Sequence, residues 1–441
     1  MNYLPAMLVL IRMTLRQTFN NRAAWWLTAA ILAMAGGSPF LLRGDGTHHG
    51  LIQLVFTYPP AIVFGILLAG TLWLGASLTA HEITTGELTS VITKPVSPAC
   101  LWVGKWLGML AFNAALLLLA AAVYLAAVTV INRPYAEASP LHGHRVFRPD
   151  HQALFQQATA RHAALQMTSA DAAPSISQIF TTLKQETFRV VPGRSFTWTF
   201  PIPDEPRNTA QNPSRWSLRF HFRCDGRERV PLNGRWIVKT ASGDIVEQPT
   251  GPIQDGMHQR SLSLPPDLPS GPLTLTFSNP AESAVTVFFD PQEPVVLLRA
   301  VSSFGSNLCR TFFVLFCFLG AAAALALTLG TLFSMPVTVF TAFALLFAIT
   351  LSKAFASLPE PNHSHGPSGA GTAVGRFGEM LLVRLDQSTE NINTLLPLSA
   401  FANAYHISNH QLLLAVVILL TALPVLLAAV GAAQLSRKEF F

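Results

Sequence analysis

Five stretches of this chain contain no Asp, Glu, Lys, Arg or His: Ala23–Leu42, Leu51–Ala80, Trp106–Asn132, Thr311–Ser352 and Gln411–Ser436. A helix needs about 20 apolar residues to cross the hydrocarbon of a bilayer. Each stretch is long enough for that. Thr311–Ser352 is long enough to cross twice, and Ser334-Met335-Pro336 breaks it near its middle. The pattern predicts six transmembrane helices. Only 12% of the residues are charged, against about a quarter in soluble globular proteins, so the remaining charges are informative by position.

The net charge is +6. A basic balance can signal nucleic acid, but lysines and arginines kept on the cytoplasmic side of membrane segments explain it more simply. Arg12, Arg16 and Arg22 precede the first span, Lys94 and Lys105 lie between the second and third, and Arg437 and Lys438 follow the sixth. With six spans all three places fall on one side. The reading is a multi-pass protein of the cytoplasmic membrane with both termini in the cytoplasm; Arg43, Arg310 and Lys353 lie near outer ends and dissent. At the N-terminus, Leu4, Met7, Leu8, Ile11, Leu15 and Phe19 recur at helical spacing. Residues 1–22 therefore read as an amphipathic helix in the inner interface.

The spans divide the chain unequally. Residues 23–133 hold spans one to three with a cytoplasmic segment at 81–105, and residues 301–441 hold spans four to six with an outer loop at 354–410. Residues 134–300 between them form a large extracytoplasmic region. From Pro149 to about Leu183 it is weakly helical in pattern. Beyond Glu186 apolar residues alternate with polar ones, as in Phe196, Trp198 and Phe200, or Trp216, Leu218, Phe220 and Phe222. Period-two alternation means half-buried strands. Asp225-Gly226, Asn233-Gly234, Ser242-Gly243 and Ser270-Gly271 punctuate them as turns. The fold expected is an α-helical membrane protein with a mainly-β domain, sandwich- or jelly-roll-like, between helices three and four.

The most informative segment is His81–Gly108, HEITTGELTSVITKPVSPACLWVGKWLG. It joins two long spans on the cytoplasmic side and carries Glu82 and Glu87, the breakers Pro95 and Pro98, and two lysines close to the bilayer. The plain alternative is a cytoplasmic loop with snorkelling lysines. The segment resembles the characteristic cytoplasmic loop of ABC exporter permeases. The resemblance rests on Glu82, Gly86-Glu87-Leu88, Lys94-Pro95-Val96-Ser97, and Gly104-Lys105 at the start of the third span. Pro98 stands where the family often has Arg. Leu329–Val337 resembles the family's tight turn between spans four and five, and the basic N-terminus its connecting helix. The resemblance covers residues 1–133 and 300–441 and leaves the β-rich insert unmatched.

That resemblance implies a transport subunit, not an enzyme. Glu82, Gly86, Glu87, Leu88, Lys94, Pro95, Val96 and Ser97 would form the coupling helix that docks on a separate ABC ATPase subunit, with a second copy or a homologous permease completing the transporter. No Gly-x-x-x-x-Gly-Lys-Ser/Thr loop is present, so ATP and Mg²⁺ would be bound by that partner and no cofactor by this chain. A membrane-anchored extracytoplasmic binding or sensor protein is the competing class. His142/His144 and His363/His365 lack acidic or thiol partners at metal spacing and read as solvated loop residues. No hydrolase elbow or triad is visible. Asp204, Glu205, Asp225, Asp244, Glu247 and Asp255 read as surface carboxylates. Trp198, Trp216, Phe220 and Trp236 could stack on sugars, but at strand spacing they are expected in the core.

Overall fold

The computed structural model describes residues 3–43, 48–85, 97–135, 141–168, 176–203, 216–225, 234–240, 243, 245–250, 255–262, 264, 271–283, 285–290, 295–356 and 395–437. The chain divides into two compact units, a helical one formed by Met1–Leu141 with Ser303–Phe441 and a β-rich one formed by His142–Ser302.

The helical unit begins with α1 (Tyr3–Asn20) and α2 (Arg22–Leu41). Asn21 separates them, and its side chain accepts the Ala23 N–H to cap α2. Then come α3 (His48–Ala76), extended by a π turn at Ser77–His81, and α4 (Pro98–Asn132). Among the described residues, five helices are long and apolar enough to cross a membrane: Arg22–Leu41, Gly50–Ala80, Pro98–Asn132, Phe304–Leu332 and Asn409–Ser436. After the β-rich unit, Phe304–Leu332 is α7 and Asn409–Ser436 is α10. Between them lie α8 (Met335–Ala356), 22 residues long and apolar over Met335–Leu345, and the short α9 (Leu398–Ala402).

Of these five, α7 is the most buried, whereas α2 and α10 are the least. Composition explains both. The run Gly320–Ala324 and Gly330 let neighbours approach α7 closely. A Cβ on Gly330 would collide with Thr79 Oγ1, and one on Gly75 would lie 2.7 Å from the Ala326 Cβ. The outward faces of α2 and α10 carry Trp25, Trp26, Val425 and Leu426, each more than half exposed. In water such a surface would be costly, and against lipid tails it is not.

Helix α3 contains Pro59 and Pro60. Proline has no N–H, so Pro59 leaves the Val55 carbonyl without its usual donor four residues on. The Tyr124 hydroxyl of α4 donates to that carbonyl at 3.0 Å. Tyr124 is fixed by its neighbours, stacked with Phe312 and near Phe401, while Phe56 stacks on Phe304 and Phe401. Tyr124→Phe should keep the stacking and lose the bond. The expected cost is about 1–2 kcal/mol, the range for an orphaned buried acceptor in a membrane bundle. Thermal unfolding in detergent, with Tyr124→Ala losing distinctly more, checks it.

Among its described residues the β-rich unit has two sheets, antiparallel at every pairing from β2 to β10. One runs β1 (His142–Phe147), β10 (Val295–Ser303), β4 (Trp216–Cys224), β9 (Val287–Phe289), β2 (Arg189–Val190). On one edge of β4, β10 pairs with Trp216–Phe220 and β9 with Phe222–Cys224; β7 (Gly256–Leu262) takes the other edge. The second sheet runs β3 (Ser195–Ile202), β8 (Gly271–Ser278), β5 (Arg235–Lys239), β6 (Ile245–Pro249). The alternating apolar sides of both sheets share one core, including Trp198, Phe220, Trp236, Leu275, Phe277, Phe289 and Leu297. This is sandwich packing. Gly243, at φ +91° in the turn from β5 to β6, takes a conformation that a Cβ disfavours. The stretch expected to be weakly helical forms two helices, α5 (Gln152–Thr168) and α6 (Ile176–Thr187).

Candidate functional site

The described residues of the predicted cytoplasmic segment converge where α1, α3 and α4 meet. The π turn at Ser77–His81 is the local cause. Within an α-helix the Glu82 N–H would bond Leu78 O; here it reaches Thr79 O instead. The Leu78 carbonyl is open to another donor, and Lys105 Nζ takes it at 2.9 Å. Lys105 also forms an ion pair with Glu82. Gln17 Nε2 of α1 donates to the other Glu82 oxygen at 3.3 Å. The side chains of Lys105 and Glu82 are 6% and 8% exposed. Lys105 is therefore not the snorkelling surface charge that its position suggested. It is a buried cation with a carboxylate and a carbonyl around it.

The same junction sets how α1 packs. Gly104 faces Leu10, and Gly108 faces Thr14. A Cβ on either would lie within 3 Å of the α1 side chain, at 2.8 Å from Leu10 Cβ and 2.6 Å from Thr14 Cβ. The face of α1 laid on α4 is thus Leu10, Thr14 and Thr18, all buried, and the two threonine hydroxyls bond carbonyls within α1. The apolar stripe seen in the sequence is less buried: Leu8 is exposed, Met7, Ile11 and Leu15 are half-buried, and Phe19, largely exposed, meets Phe112 of α4 edge to face at 5.3 Å. Small side chains win the helix contact because they permit close approach.

Ser97 caps α4, accepting the Cys100 N–H at 3.2 Å, and Pro98 takes the first helical position, where its missing N–H costs nothing. Pro98 thus serves the start of the helix. Gly86, Glu87, Leu88, Lys94, Pro95 and Val96 lie outside the described residues, as do His363 and His365.

The residues missed by sequence reasoning are Gln17, Tyr124 and the pair Thr71–Asn113. Thr71 Oγ1 and Asn113 Oδ1 lie 3.0 Å apart and both residues are 1% exposed, a polar contact between α3 and α4 deep in apolar sequence. A lone Asn and a lone Tyr in otherwise apolar stretches were the available signals.

In the β-rich unit, no group of three or more His, Cys, Asp or Glu among the described residues could hold a metal. His221 Nδ1 and Asp290 Oδ2 are 3.1 Å apart. Glu247 pairs with Arg235 at 2.7 Å on the surface, and Asp255 accepts the Cys224 N–H. Burial, followed by the hydrogen bond with and the charge of Asp255, pushes the Cys224 thiol up to about 12. It stays protonated at neutral pH and is a poor nucleophile. Compared with protein-family models, curated proteins and solved structures, the chain matches none.

Proposed function

We propose that this chain is the membrane-spanning permease of an ATP-driven exporter of the ABC class, built as six spans with α8 as the fifth. In this reading both termini are cytoplasmic and the β-rich unit lies outside the cytoplasmic membrane. A second copy or a homologous permease completes the pathway, and a separate ATPase subunit binds ATP and Mg²⁺. The observation that carries it is the Glu82–Lys105 pair with Gln17. Glu82 and Lys105 stand on either side of residues 86–96, the segment that resembles the coupling helix. A displacement of that segment would be passed through a buried ion pair to α1, α3 and α4 together. Short buried polar links are stiff because breaking them exposes an unpaired charge.

The test is purification in mild detergent with mass spectrometry of stoichiometric partners, followed by turnover of the complex. A phosphate-loop ATPase should accompany the protein. Glu87→Ala should lower substrate-stimulated ATP hydrolysis about tenfold or more while leaving the melting of the permease unchanged, as a docking contact would. A protein that purifies without any such ATPase, or a Glu87→Ala complex with undiminished turnover, would overturn the reading and favour a membrane-anchored binding protein.

A further inference from the structure

The strand aromatics that could have stacked on a sugar are spent on the core: Trp198, Trp216, Phe220 and Trp236 are 3% exposed or less. A different pair stands at the surface of the same unit. Phe155 of α5 is 53% exposed, and Phe180 of α6 meets it edge to face at 5.7 Å. Beside them lies a shallow depression of about 540 Å³ that is open to solvent, of a size to seat one face of a small molecule. Pro149 and the two rings give it apolar walls. Asp150, His151, Gln152 and Gln156 add polar groups.

The chemistry of this lining narrows the ligand. Asp150 accepts the Gln152 N–H at 2.8 Å through Oδ1, and its carboxylate keeps capacity for further donors. Two amides offer paired donors and acceptors. Burial, and then the nearby Lys184 charge, lower the His151 pKa against an opposing effect of Asp150, so the imidazole is neutral at pH 7 and both gives and takes a hydrogen bond. An anion would meet the Asp150 carboxylate. Lys184 is outside the lining but close enough for its charge to oppose that of Asp150 at His151, its ammonium 4.6 Å from the Phe180 ring centre, so the site offers a cation no uncompensated negative charge. A wholly apolar ligand would strip water from four polar side chains without replacing it. A neutral molecule with an apolar face and a rim of hydroxyls satisfies every wall at once.

We propose that this depression is a binding site for a neutral saccharide, with a pyranose C–H face on Phe155 and ring hydroxyls on Asp150 and the two glutamines. The assignment stands apart from the transport reading, because it concerns the β-rich unit by itself.

Full-length protein in a detergent without a sugar headgroup should be titrated with glucose, N-acetylglucosamine and their β-1,4-linked disaccharides, using saturation-transfer NMR and calorimetry. At least one should bind saturably. Asp150→Asn keeps a side-chain acceptor for the Gln152 N–H and removes the charge, and Phe155→Ala removes an exposed ring. Each should weaken binding about tenfold or more with an unchanged melting temperature. Absence of saturable binding by all four sugars, or affinity that survives both substitutions, would overturn the site. So would glucuronate binding more tightly than glucose, since the Asp150 carboxylate then could not face the ligand.

Discussion

Lys105→Met is expected to destabilise the helical unit by about 3–5 kcal/mol, the cost of leaving a buried carboxylate without its counter-charge. The methionine replaces the aliphatic stem but not the ammonium, so among the described residues Glu82 keeps only the Gln17 amide at 3.3 Å, and Leu78 O loses the Lys105 donor at 2.9 Å. The double variant Glu82→Gln/Lys105→Met should recover most of the loss. It removes both charges together, and the amide introduced at position 82 can still hydrogen-bond the Gln17 amide, so no unpaired charge is left buried. Thermal unfolding of the wild type, both single variants and the double variant in one detergent gives the coupling directly. Additive losses, or a Lys105→Met protein that melts with the wild type, would mean that the charges are not paired in the folded bundle. The exporter reading adds a second expectation. The double variant should fold yet couple poorly, since the link between α3 and α4 has been cut.

The second large effect is expected at Trp236 in the β-rich unit. Trp236 is 2% exposed and sits among Trp198, Phe220, Phe277 and Phe289, with ring centres 4.8–6.0 Å away. These neighbours come from both sheets, so Trp236 is one of the side chains that hold them face to face. Trp236→Ala should cost about 3–5 kcal/mol, the range for deleting a large aromatic from a packed core. Trp236→Phe should cost clearly less because a ring remains. The measurement is limited proteolysis across His142–Ser302 beside loss of near-ultraviolet circular dichroism. Protection equal to the wild type in Trp236→Ala would show that the sheets are held from elsewhere. The exposed Phe155 is the internal contrast: Phe155→Ala should leave proteolysis unchanged.

Much of the architecture could be read from the chain itself because its causes are local. Charge-free stretches longer than a bilayer is thick leave few alternatives to apolar helices. Alternation in Trp216–Phe222 writes a strand with its apolar face in a core, but not the burial of Ser217 and Arg219 on the other face; the Ser242-Gly243 turn falls where the positive φ is needed. The strand aromatics fell in the core as expected at their spacing. The site was less legible. Glu82 and Lys105 were both picked out, but by resemblance, and 23 residues of separation gave no reason to pair them. The π turn that turns Leu78 O toward Lys105 has no signature in sequence. Neither does the seating of α1 through Leu10, Thr14 and Thr18, which are more deeply buried than its more apolar stripe.

The sequence by itself determined the inventory: helices of spanning length and an insert of alternating strands. It did so because hydrophobic length and period act residue by residue along the chain. Only the tertiary structure decided which polar groups meet. Gln17, Glu82, Leu78 and Lys105 converge from three helices; Tyr124 meets the carbonyl that Pro59 frees; and Phe155 and Phe180, not the strand tryptophans, flank the depression. Burial makes each of these contacts consequential, since an unpaired polar group removed from water is costly. Burial is a property of packed helices and sheets, not of any one stretch of sequence.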